Sequence, residues 1–408
     1  MKIGSRQIGA GQPVYIIAEL GVNHDGSAAR AMELVEMAHG AGADAVKLQY
    51  FETDRLMSRS AKLAAYQKAA GETDPVAMLR RLELRIEDMG PIVERAHGLG
   101  MHAIVTVFST ELVESAERLE WDAYKTASPD IVHRPLLERL CATERPLIVS
   151  TGASTMEEVE RAVGWIGACG ARERTGVLQC VSSYPTSLEQ AALGGIEAIR
   201  GAVGGMVGYS DHTADVRTGA WSVAWGAEVL EKHLTYDRGA AGPDHAASLD
   251  PAMFKDYCRA VRDAFVVMNP GSGAAQTEGG RRVVDANARL RAELEPIADA
   301  IMWSQRMWAR LLGRSEPGYE RRMREAMARA EEAKRKDVLA IEEDVRRVSR
   351  QSVVALRGLT AGEVIGAGDV TIKRPGTGFL PFEMGSVVGK RVVRAVEADT
   401  VIGREDVA

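Results

Sequence analysis

Residues 205–213 read GMVGYSDHT and residues 228–235 read EVLEKHLT, and these two stretches decide the fold. Each is a short apolar run that ends in a histidine, His212 in the first and His233 in the second. Their separation is too long for one helix face and suits one strand–helix–strand unit. The spacing therefore predicts two neighbouring parallel strands with both imidazoles at the same end, where a single divalent cation could join them.

The same alternation runs through most of the chain. Eight short runs rich in Val, Ile and Leu predict buried strands over residues 14–20, 45–51, 102–109, 122–128, 146–152, 177–186, 205–213 and 228–235. Amphipathic stretches between them predict helices, for example over 27–42, 91–100 and 154–170. The last of these opens with Ser154-x-x-Glu157, a capping-box pattern. This pattern predicts an α/β fold, a (β/α)8 TIM barrel, whose active site lies at the carboxyl ends of the strands.

Composition is that of an ordinary globular protein. Hydrophobic residues make up 46% and charged residues 26%, and the formal net charge is −6. An acidic balance offers no electrostatic basis for binding nucleic acid or an anionic membrane. The chain starts without a basic-then-apolar leader and has no apolar run of about 20 residues, which predicts a cytoplasmic protein.

At 408 residues the chain exceeds the roughly 250 of a single barrel, so we expect further modules. We predict a barrel domain over 1–268, a helical linker or insertion over 269–349, and a small β-rich domain over 350–408. Residues 320–350 are dense in charge and lack Gly and Pro, which favours a solvated connecting helix. The alternative is that a narrow face of this helix, including Val345 and Val348, packs against another surface.

Nine motifs carry a resemblance to a known family. In order they are AELGVNHDG, GADAVKLQYF, YKTAS, STGAS, CVSSYPT, GYSDHT, EKHLT, GPDH and KRPGTG. Together they resemble the sialic acid (N-acetylneuraminate) synthase family over roughly residues 10–265 and 350–408. The resemblance implies a barrel followed by an antifreeze-like (SAF) domain. It also implies a transferase that condenses phosphoenolpyruvate with an N-acylamino aldose, such as N-acetylmannosamine, to a nonulosonic acid and phosphate.

The resemblance also implies a role for each polar residue at the strand ends. A divalent metal, Mn²⁺ or else Mg²⁺ or Co²⁺, would bind His212 and His233 and polarise the aldehyde. Glu19 would manage protons on the water or on the sugar hydroxyl; a carboxylate that merely pairs with a lysine is the alternative. The residues expected to bind the substrates are Lys47, Gln49, Thr106, Lys125, Ser128, Asp130, Ser182, Tyr184, Ser210, Asp244 and Arg374.

Among these residues the chemistry divides by substrate. Lys47 and Lys125 are the cations for trianionic phosphoenolpyruvate, and the hydroxyls of Thr106, Ser128, Ser182 and Ser210 would bind its phosphate or carboxylate oxygens. The resemblance places Gln49, Tyr184 and Asp244 around the sugar or the metal-bound water. It places Arg374 near the sugar's acylamino group, in the cavity of the partner subunit of a domain-swapped homodimer.

Two departures from the family pattern bear on the acceptor. Where the family commonly has a glutamate that binds sugar hydroxyls, this chain has Asp130 preceded by Pro129. The insertion over roughly 270–345 is also atypical in length. Acylamino sugars that lead to legionaminic or pseudaminic acid therefore remain alternatives, as do another phosphoenolpyruvate-dependent aldol synthase and an inactive carbohydrate-binding barrel.

The other histidines are predicted to have lesser roles. His39, His97 and His102 lie at helix ends or strand starts, and we expect them to be structural. His24 lies in the first loop of the rim, where it could contact substrate. His245 follows Asp244 and is either a supporting residue of the site or an ordinary loop residue.

Overall fold

Eight parallel strands close into a barrel. The computed structural model describes residues 1–269, 271–277, 279–280 and 334–408. A hairpin of β1 (Lys2–Ile3) and β2 (Arg6–Gln7) precedes the barrel. The barrel strands are β3 (Tyr15–Gly21), β4 (Ala45–Tyr50), β5 (His102–Val107), β6 (Ala123–Thr126), β7 (Leu147–Ser150), β8 (Thr175–Cys180), β9 (Met206–Asp211) and β10 (Val229–His233), and β10 pairs with β3. The predicted TIM barrel is confirmed.

Helices surround this barrel, numbered here over the described residues. They are α1 (Ala28–Ala41), α2 (Thr53–Leu56), α3 (Ala65–Ala69), α4 (Pro75–Leu82), α5 (Ile86–Gly98), α6 (Val113–Ala116), α7 (Arg134–Cys141), α8 (Met156–Ala168), α9 (Gly195–Val203), α10 (Thr218–Ala224), α11 (Pro251–Met268) and α12 (Gly273–Gln276). Two more lie beyond the barrel, α13 (Glu343–Ser349) and α14 (Met384–Val387). Along the described chain, no helix is both long and apolar enough to cross a membrane.

Alternation along each strand explains how the barrel carries polar chemistry. In β3, Ile16 and Ala18 pack outward against the helices, whereas Tyr15 and Ile17 belong to an apolar cluster that fills the barrel floor. Because side chains alternate along a strand, Glu19 has the same inward direction as Tyr15 and Ile17 but lies one layer higher. The lower inward positions are therefore apolar and the upper ones polar.

Strand register brings the polar ends together. Glu231 pairs with Ser210, and Lys232 pairs with Asp211, so His233 and His212 follow side by side. On the other side of β10, His233 pairs with Glu19, which in turn pairs with Lys47. The predicted arrangement of the two histidines at one end of neighbouring strands is confirmed.

The helix that follows β7 begins one residue later than its sequence suggested. The capping box of α8 uses Thr155 and Glu158: the Glu158 amide donates to Thr155 Oγ1, and the Thr155 amide donates to a carboxylate oxygen of Glu158. The predicted box of Ser154 and Glu157 is wrong. The sequence STMEE offers two overlapping boxes, but the buried Ser154 hydroxyl donates to Gly152 O at 3.1 Å and is not available as a cap.

The segment between the domains packs on the barrel. The predicted helix over 320–350 lies outside the described residues as far as 333. Between 334 and 350, only α13 is α-helical, and it follows a 3₁₀ turn over Ala340–Glu342. The expected solvated helix is wrong for this part, because Val345 and Val348 are buried against Ala64 and Tyr66. Part of the predicted apolar face thus has its partner.

The second domain is β-rich, as predicted. Strands β11 (Ser352–Ala355) and β12 (Val370–Lys373) pair antiparallel, and isolated bridges join several further short segments. Its own core contains Val353, Leu359, Phe379 and Ile402. A parallel bridge between Met57 and Arg374 connects β12 to the loops above β4 of the barrel. The domain boundaries at 268 and 350 remain a prediction.

Candidate active site

Four alternating charges lie at the centre of the barrel mouth. Lys47 forms a short ion pair with Glu19 and lies 3.8 Å from Glu231, whose other oxygen is 3.4 Å from Lys125 Nζ. All four side chains are buried. Burial of charge is costly unless it is paired, and here two carboxylates balance two ammonium groups.

Glu231 is a site residue that the sequence reasoning missed. Burial raises the pKa of its carboxyl, but Lys125 and Lys47 outweigh that effect and hold the pKa at about 2, so the group is ionised. Ser210 Oγ donates to it at 2.9 Å. The signal that could have identified it is the alternation of side chains along β10, because Glu231 lies two residues before His233 and so faces into the barrel with it.

The two lysines differ in their surroundings. Burial lowers the pKa of Lys47, yet Glu19 and Glu231 together outweigh it and raise the pKa. For Lys125, burial is the larger effect and lowers the pKa in spite of Glu231. Lys125 Nζ donates to Ser150 Oγ at 2.5 Å and to Thr126 O at 3.1 Å.

A group of hydroxyls surrounds these lysines. Lys47 Nζ donates to Thr106 Oγ1 at 3.0 Å, and the Gly152 amide donates to Ser128 Oγ at 3.0 Å. A Cβ at Gly152 would lie 2.2 Å from Ser182 Oγ and 2.8 Å from Ser128 Oγ, so only glycine allows these hydroxyls to come so close. Two cations and several hydroxyls around one cavity are suited to a phosphorylated, carboxylated anion.

The histidine pair lies beside this cluster. The ring centroids of His212 and His233 are 5.5 Å apart, and His212 Nδ1 donates to Val181 O at 2.7 Å. That bond fixes the tautomer and leaves Nε2 of His212 as a lone-pair donor. His233 Nδ1 is buried and finds no hydrogen-bond partner in the part of the chain that the structure describes.

This arrangement fits a divalent cation held by two imidazoles. No group of three or more His, Cys, Asp or Glu side chains suited to a metal ion occurs among the described residues, so water and substrate would supply the other ligands. Asp244 Oδ2 is 3.8 Å from His233 Nδ1. Burial, followed by the negative charge of Glu19, raises the pKa of Asp244 to about 6.

Aromatic and amide groups complete this side of the cavity. Tyr184 stacks on His212 with ring centroids 4.1 Å apart and on Tyr66 at 4.8 Å. Gln49 Nε2 donates to Glu19 Oε1 at 3.0 Å, so Glu19 is held by Gln49 and Lys47 together. Glu19 therefore both lines the cavity and pairs with a lysine, which joins the two interpretations of its role.

The opposite wall comes from α3, α4, the loops after β5 and β6, α13 and the second domain. It consists of Tyr66, Gln67, Met78, Leu79, Phe108, Pro129, Val345, Ser349 and Arg374. The Arg374 guanidinium carbon lies 5.6 Å from the centre of the Phe108 ring. Arg374 thus lines the cavity of its own chain, and the role in the partner subunit's cavity that the family resemblance implies remains a prediction. The homodimer itself remains a prediction.

Among the described residues, Asp130 is the one predicted site residue that does not line the cavity. It is buried in the 3₁₀ turn Ser128–Val132, where its Oδ1 accepts a hydrogen bond from Gln351 Nε2 at 2.9 Å. Burial raises its pKa to about 6, against the opposing charge of Arg374. Its short side chain turns toward the second domain, so here it supports Gln351 and the region of Arg374 instead of facing the substrate.

Three of the other histidines have hydrogen-bond partners of their own. His245 is hydrogen-bonded to Thr235 at 2.7 Å and to Asp25 at 3.1 Å. His24 Nδ1 accepts from the Gly26 amide at 3.1 Å, and burial lowers its pKa to about 4. His97 is bound to Asp122 at 2.8 Å near the start of β5.

Comparison with known proteins agrees with this geometry. A model of the NeuB family matches residues 34–273, more than half of the chain, and a model of the SAF domain matches residues 350–408. The chain belongs to the NeuB family. Members of the family are nonulosonic acid synthases that condense phosphoenolpyruvate with a sugar, and the predicted enzyme class is confirmed to that extent.

Individual relatives of this NeuB-family chain differ in product. It is 30% identical to the N,N'-diacetyllegionaminic acid synthase of Legionella pneumophila, across 98% of this chain and 96% of that one. It is 32% identical to the pseudaminic acid synthase of Campylobacter jejuni, across 66% and 79%. The crystal structure of the spore coat polysaccharide biosynthesis protein SpsE of Bacillus subtilis matches with a TM-score of 0.73 and 25% identity, across 100% of this chain and 99% of that one.

Proposed function

We propose that this enzyme condenses phosphoenolpyruvate with an N-acylamino aldose and releases a nonulosonic acid and phosphate. The observation that carries the proposal is the buried pair Lys47 and Lys125, surrounded by hydroxyls and directly beside His212 and His233. This arrangement supports the proposal, because a reaction between an enol phosphate and an aldehyde requires a site for a small polyanion next to a site for an electrophile.

The barrel residues would bind and orient phosphoenolpyruvate. Lys47 and Lys125 neutralise its charges, while Thr106, Ser128, Ser182 and Ser210 donate to its oxygens. Glu19 and Glu231 hold the lysines in place before substrate arrives. Because the site is buried, each of these interactions is stronger than it would be in water.

The balance of the reaction assigns the protons. A bond forms between C3 of phosphoenolpyruvate and the aldehyde carbon, water adds to C2, and one proton of that water balances the proton taken up by the aldehyde oxygen. The other proton leaves the C2 hydroxyl with the phosphate as the C2–O bond to phosphate breaks and the keto group forms. Glu19, held between Gln49 and Lys47, is placed to accept a proton from that water or to pass one to the sugar oxygen. A divalent cation on His212 and His233, which we propose is Mn²⁺, supplies Lewis-acid polarisation of the aldehyde when bound.

The opposite wall would bind the acceptor, and we call it the acceptor wall. Arg374 and Ser349 offer polar contacts for an acylamino group, and Met78, Leu79, Phe108 and Val345 offer an apolar surface for its methyl group. A second candidate is an aldose that carries two acylamino groups. The extent of this apolar wall favours it, and so does similarity over nearly the full length to a synthase of an N,N'-diacetyl product.

A direct assay tests the reaction. The full chain is incubated with phosphoenolpyruvate, Mn²⁺ and a panel of mono- and diacylamino aldoses, and phosphate release and product mass are measured. We expect phosphate release that depends on the aldose, and the aldose with the highest kcat/KM identifies the acceptor. Absence of phosphate release with every acylamino aldose would refute the proposal.

The metal is tested by His212→Ala and His233→Ala, which we expect to reduce turnover at least about 100-fold, with a matching loss of bound Mn²⁺ by metal analysis. His39→Ala is the matched control, because His39 is exposed on α1. Full turnover in a chelator would rule out the metal role.

A further inference from the structure

Glu342 places a carboxylate behind the cavity, from outside the barrel. It ends the 3₁₀ turn Ala340–Glu342 and is fully buried. Its Oε1 accepts hydrogen bonds from the Ala153 amide at 2.6 Å and from the Ser182 amide at 2.7 Å. Its Oε2 accepts from the Leu339 amide at 2.9 Å. Three backbone donors therefore satisfy one buried carboxylate.

The two barrel amides belong to the loops after β7 and β8, which carry cavity hydroxyls. Ser182 itself lines the cavity, and Ala153 directly follows Gly152, over which the hydroxyls of Ser128 and Ser182 close. Ala153 has a φ of 51°, in the left-handed region that non-glycine residues rarely adopt. Such a conformation persists only where the surroundings hold it in place.

The interdomain segment that carries Glu342 also binds the carbonyl group of Ala153. Arg346 and Arg350 donate to Ala153 O, Arg350 at 3.2 Å, and both arginines bind the carboxylate of Glu158. Both backbone groups of Ala153 are thus bound by residues between 342 and 350. The interdomain segment therefore contacts the end of the cavity that carries the anion-binding hydroxyls, as well as the acceptor wall.

We propose that Glu342 is a positioning residue for the phosphoenolpyruvate end of the site: it holds the loops after β7 and β8 so that Ser128 and Ser182 meet the bound anion. This inference rests on the proposed function. Simple electrostatics predicts the opposite effect, because a carboxylate near a trianion repels it. Removing Glu342 therefore weakens binding if it positions the loops and tightens binding if its charge dominates.

Direct binding separates these two effects. The dissociation constant for phosphoenolpyruvate is measured by calorimetry on the full chain with Mn²⁺ and without acceptor. For Glu342→Ala we expect it to rise about tenfold or more, because two buried amides lose their acceptor. For Glu342→Gln we expect a value within about threefold of wild type, because its Oε1 can still accept from the Ala153 and Ser182 amides, and only the bond from the partly buried Leu339 amide is lost. Glu343→Ala is the matched control, since Glu343 is the adjacent exposed carboxylate.

A shorter acid tests reach without a change of charge. Glu342→Asp keeps the carboxylate but lacks one methylene, so we expect weaker binding here too, and this variant decides the matter if Glu342→Ala fails to fold. In steady state, the KM for phosphoenolpyruvate rises while the KM for the acceptor stays within about twofold, a split that general loss of structure would not produce.

Two failures can be told apart. A wild-type chain that does not bind phosphoenolpyruvate overturns the proposed function. Wild-type binding with an equal or smaller dissociation constant for Glu342→Ala overturns only the role of Glu342. Binding by Glu342→Gln as weak as that of Glu342→Ala also overturns it, because a side chain that still accepts from the Ala153 and Ser182 amides would then fail to preserve the site.

Discussion

The two ends of the cavity are built in different ways. The end with Lys47, Lys125 and Glu231 consists of side chains on barrel strands, each within a few residues of a paired strand position. The opposite end consists of Tyr66 on a short helix, loop residues, α13 and Arg374 from the second domain. A closed ladder of hydrogen bonds fixes the first end, whereas packing between remote parts of the chain fixes the second.

This difference separates chemistry from specificity. Strand ends in a barrel are rigid, so groups that must meet a common substrate are best placed there. Loops and added domains can change without disturbing the barrel. Relatives that make legionaminic and pseudaminic acids share the family fold, and we expect their differences to lie in the acceptor wall.

The strongest test of the strand-built end is Lys125→Met. This change removes a buried cation, leaves Glu231 with one fewer partner and should lower kcat/KM for phosphoenolpyruvate by about 1000-fold. Phosphate release at varied phosphoenolpyruvate measures it. Lys62→Met, at an exposed lysine, is the control. Near wild-type kcat/KM in Lys125→Met would show that this end does not bind the anion.

The contact between the barrel and the interdomain segment is tested by Glu158→Gln, because Glu158 of α8 pairs with Arg346 and Arg350 of that segment. Burial raises the pKa of Glu158, but Arg350 and Arg346 outweigh it and lower the pKa to about 2 from 4.5. Because the pKa is lower in the folded chain, the ionised carboxylate stabilises the fold, by about 2 kcal/mol once solvent screening of these pairs is allowed for. Because the folded pKa is depressed, this stability is present above pH 4.5 and is lost as the pH falls toward 2.

Denaturant unfolding of both proteins between pH 7 and pH 3 measures this contribution. We expect the variant to be less stable at pH 7 and the difference to shrink steadily below pH 4.5. Glu157→Gln is the matched control, because Glu157 is the neighbouring, exposed carboxylate. A difference between wild type and Glu158→Gln that does not change with pH would contradict the assignment.

The smallest effect is expected at the acceptor wall. Arg374→Ala should raise the KM for the acceptor about tenfold, through loss of a buried polar contact, with the KM for phosphoenolpyruvate within about twofold. Arg391→Ala, at an exposed position in the same domain, is the control. Equal increases in both KM values would mean that Arg374 only holds the domains together.

A mixture of two variants tests which cavity the arginine serves. If mixing Arg374→Ala with the inactive His233→Ala restores activity, Arg374 acts in the cavity of the partner subunit.

Pattern and motif predicted most of the strand-built end. Each of the eight apolar runs became a strand, because a run buried on both faces has few other stable solutions. Glu231 was missed because in the sequence it merely follows an apolar run and precedes a lysine. Its position between Lys47 and Lys125 depends on which side chains of β10 point into the barrel. The place of Asp130 was missed because its partner, Gln351, is 221 residues away in sequence.

The interdomain segment gives the clearest case of a limit. Its charges predicted a solvated helix, yet Glu342 and Arg350 are buried. Glu342 accepts from two backbone amides of the barrel loops, and Arg350 pairs with Glu158 of α8. A charge satisfied by a distant backbone amide looks the same in sequence as one satisfied by water.

The sequence by itself determined the barrel, the paired histidines and the two lysines at the strand ends, because alternation along strands and spacing between them are local properties. Only the tertiary structure decided that Arg374 enters its own chain's cavity, that Asp130 turns away from it, and that Glu342 supports it from behind. Those placements depend on which loops meet after closure of the barrel and packing of the second domain, and that contact energy is spread over residues far apart in the chain.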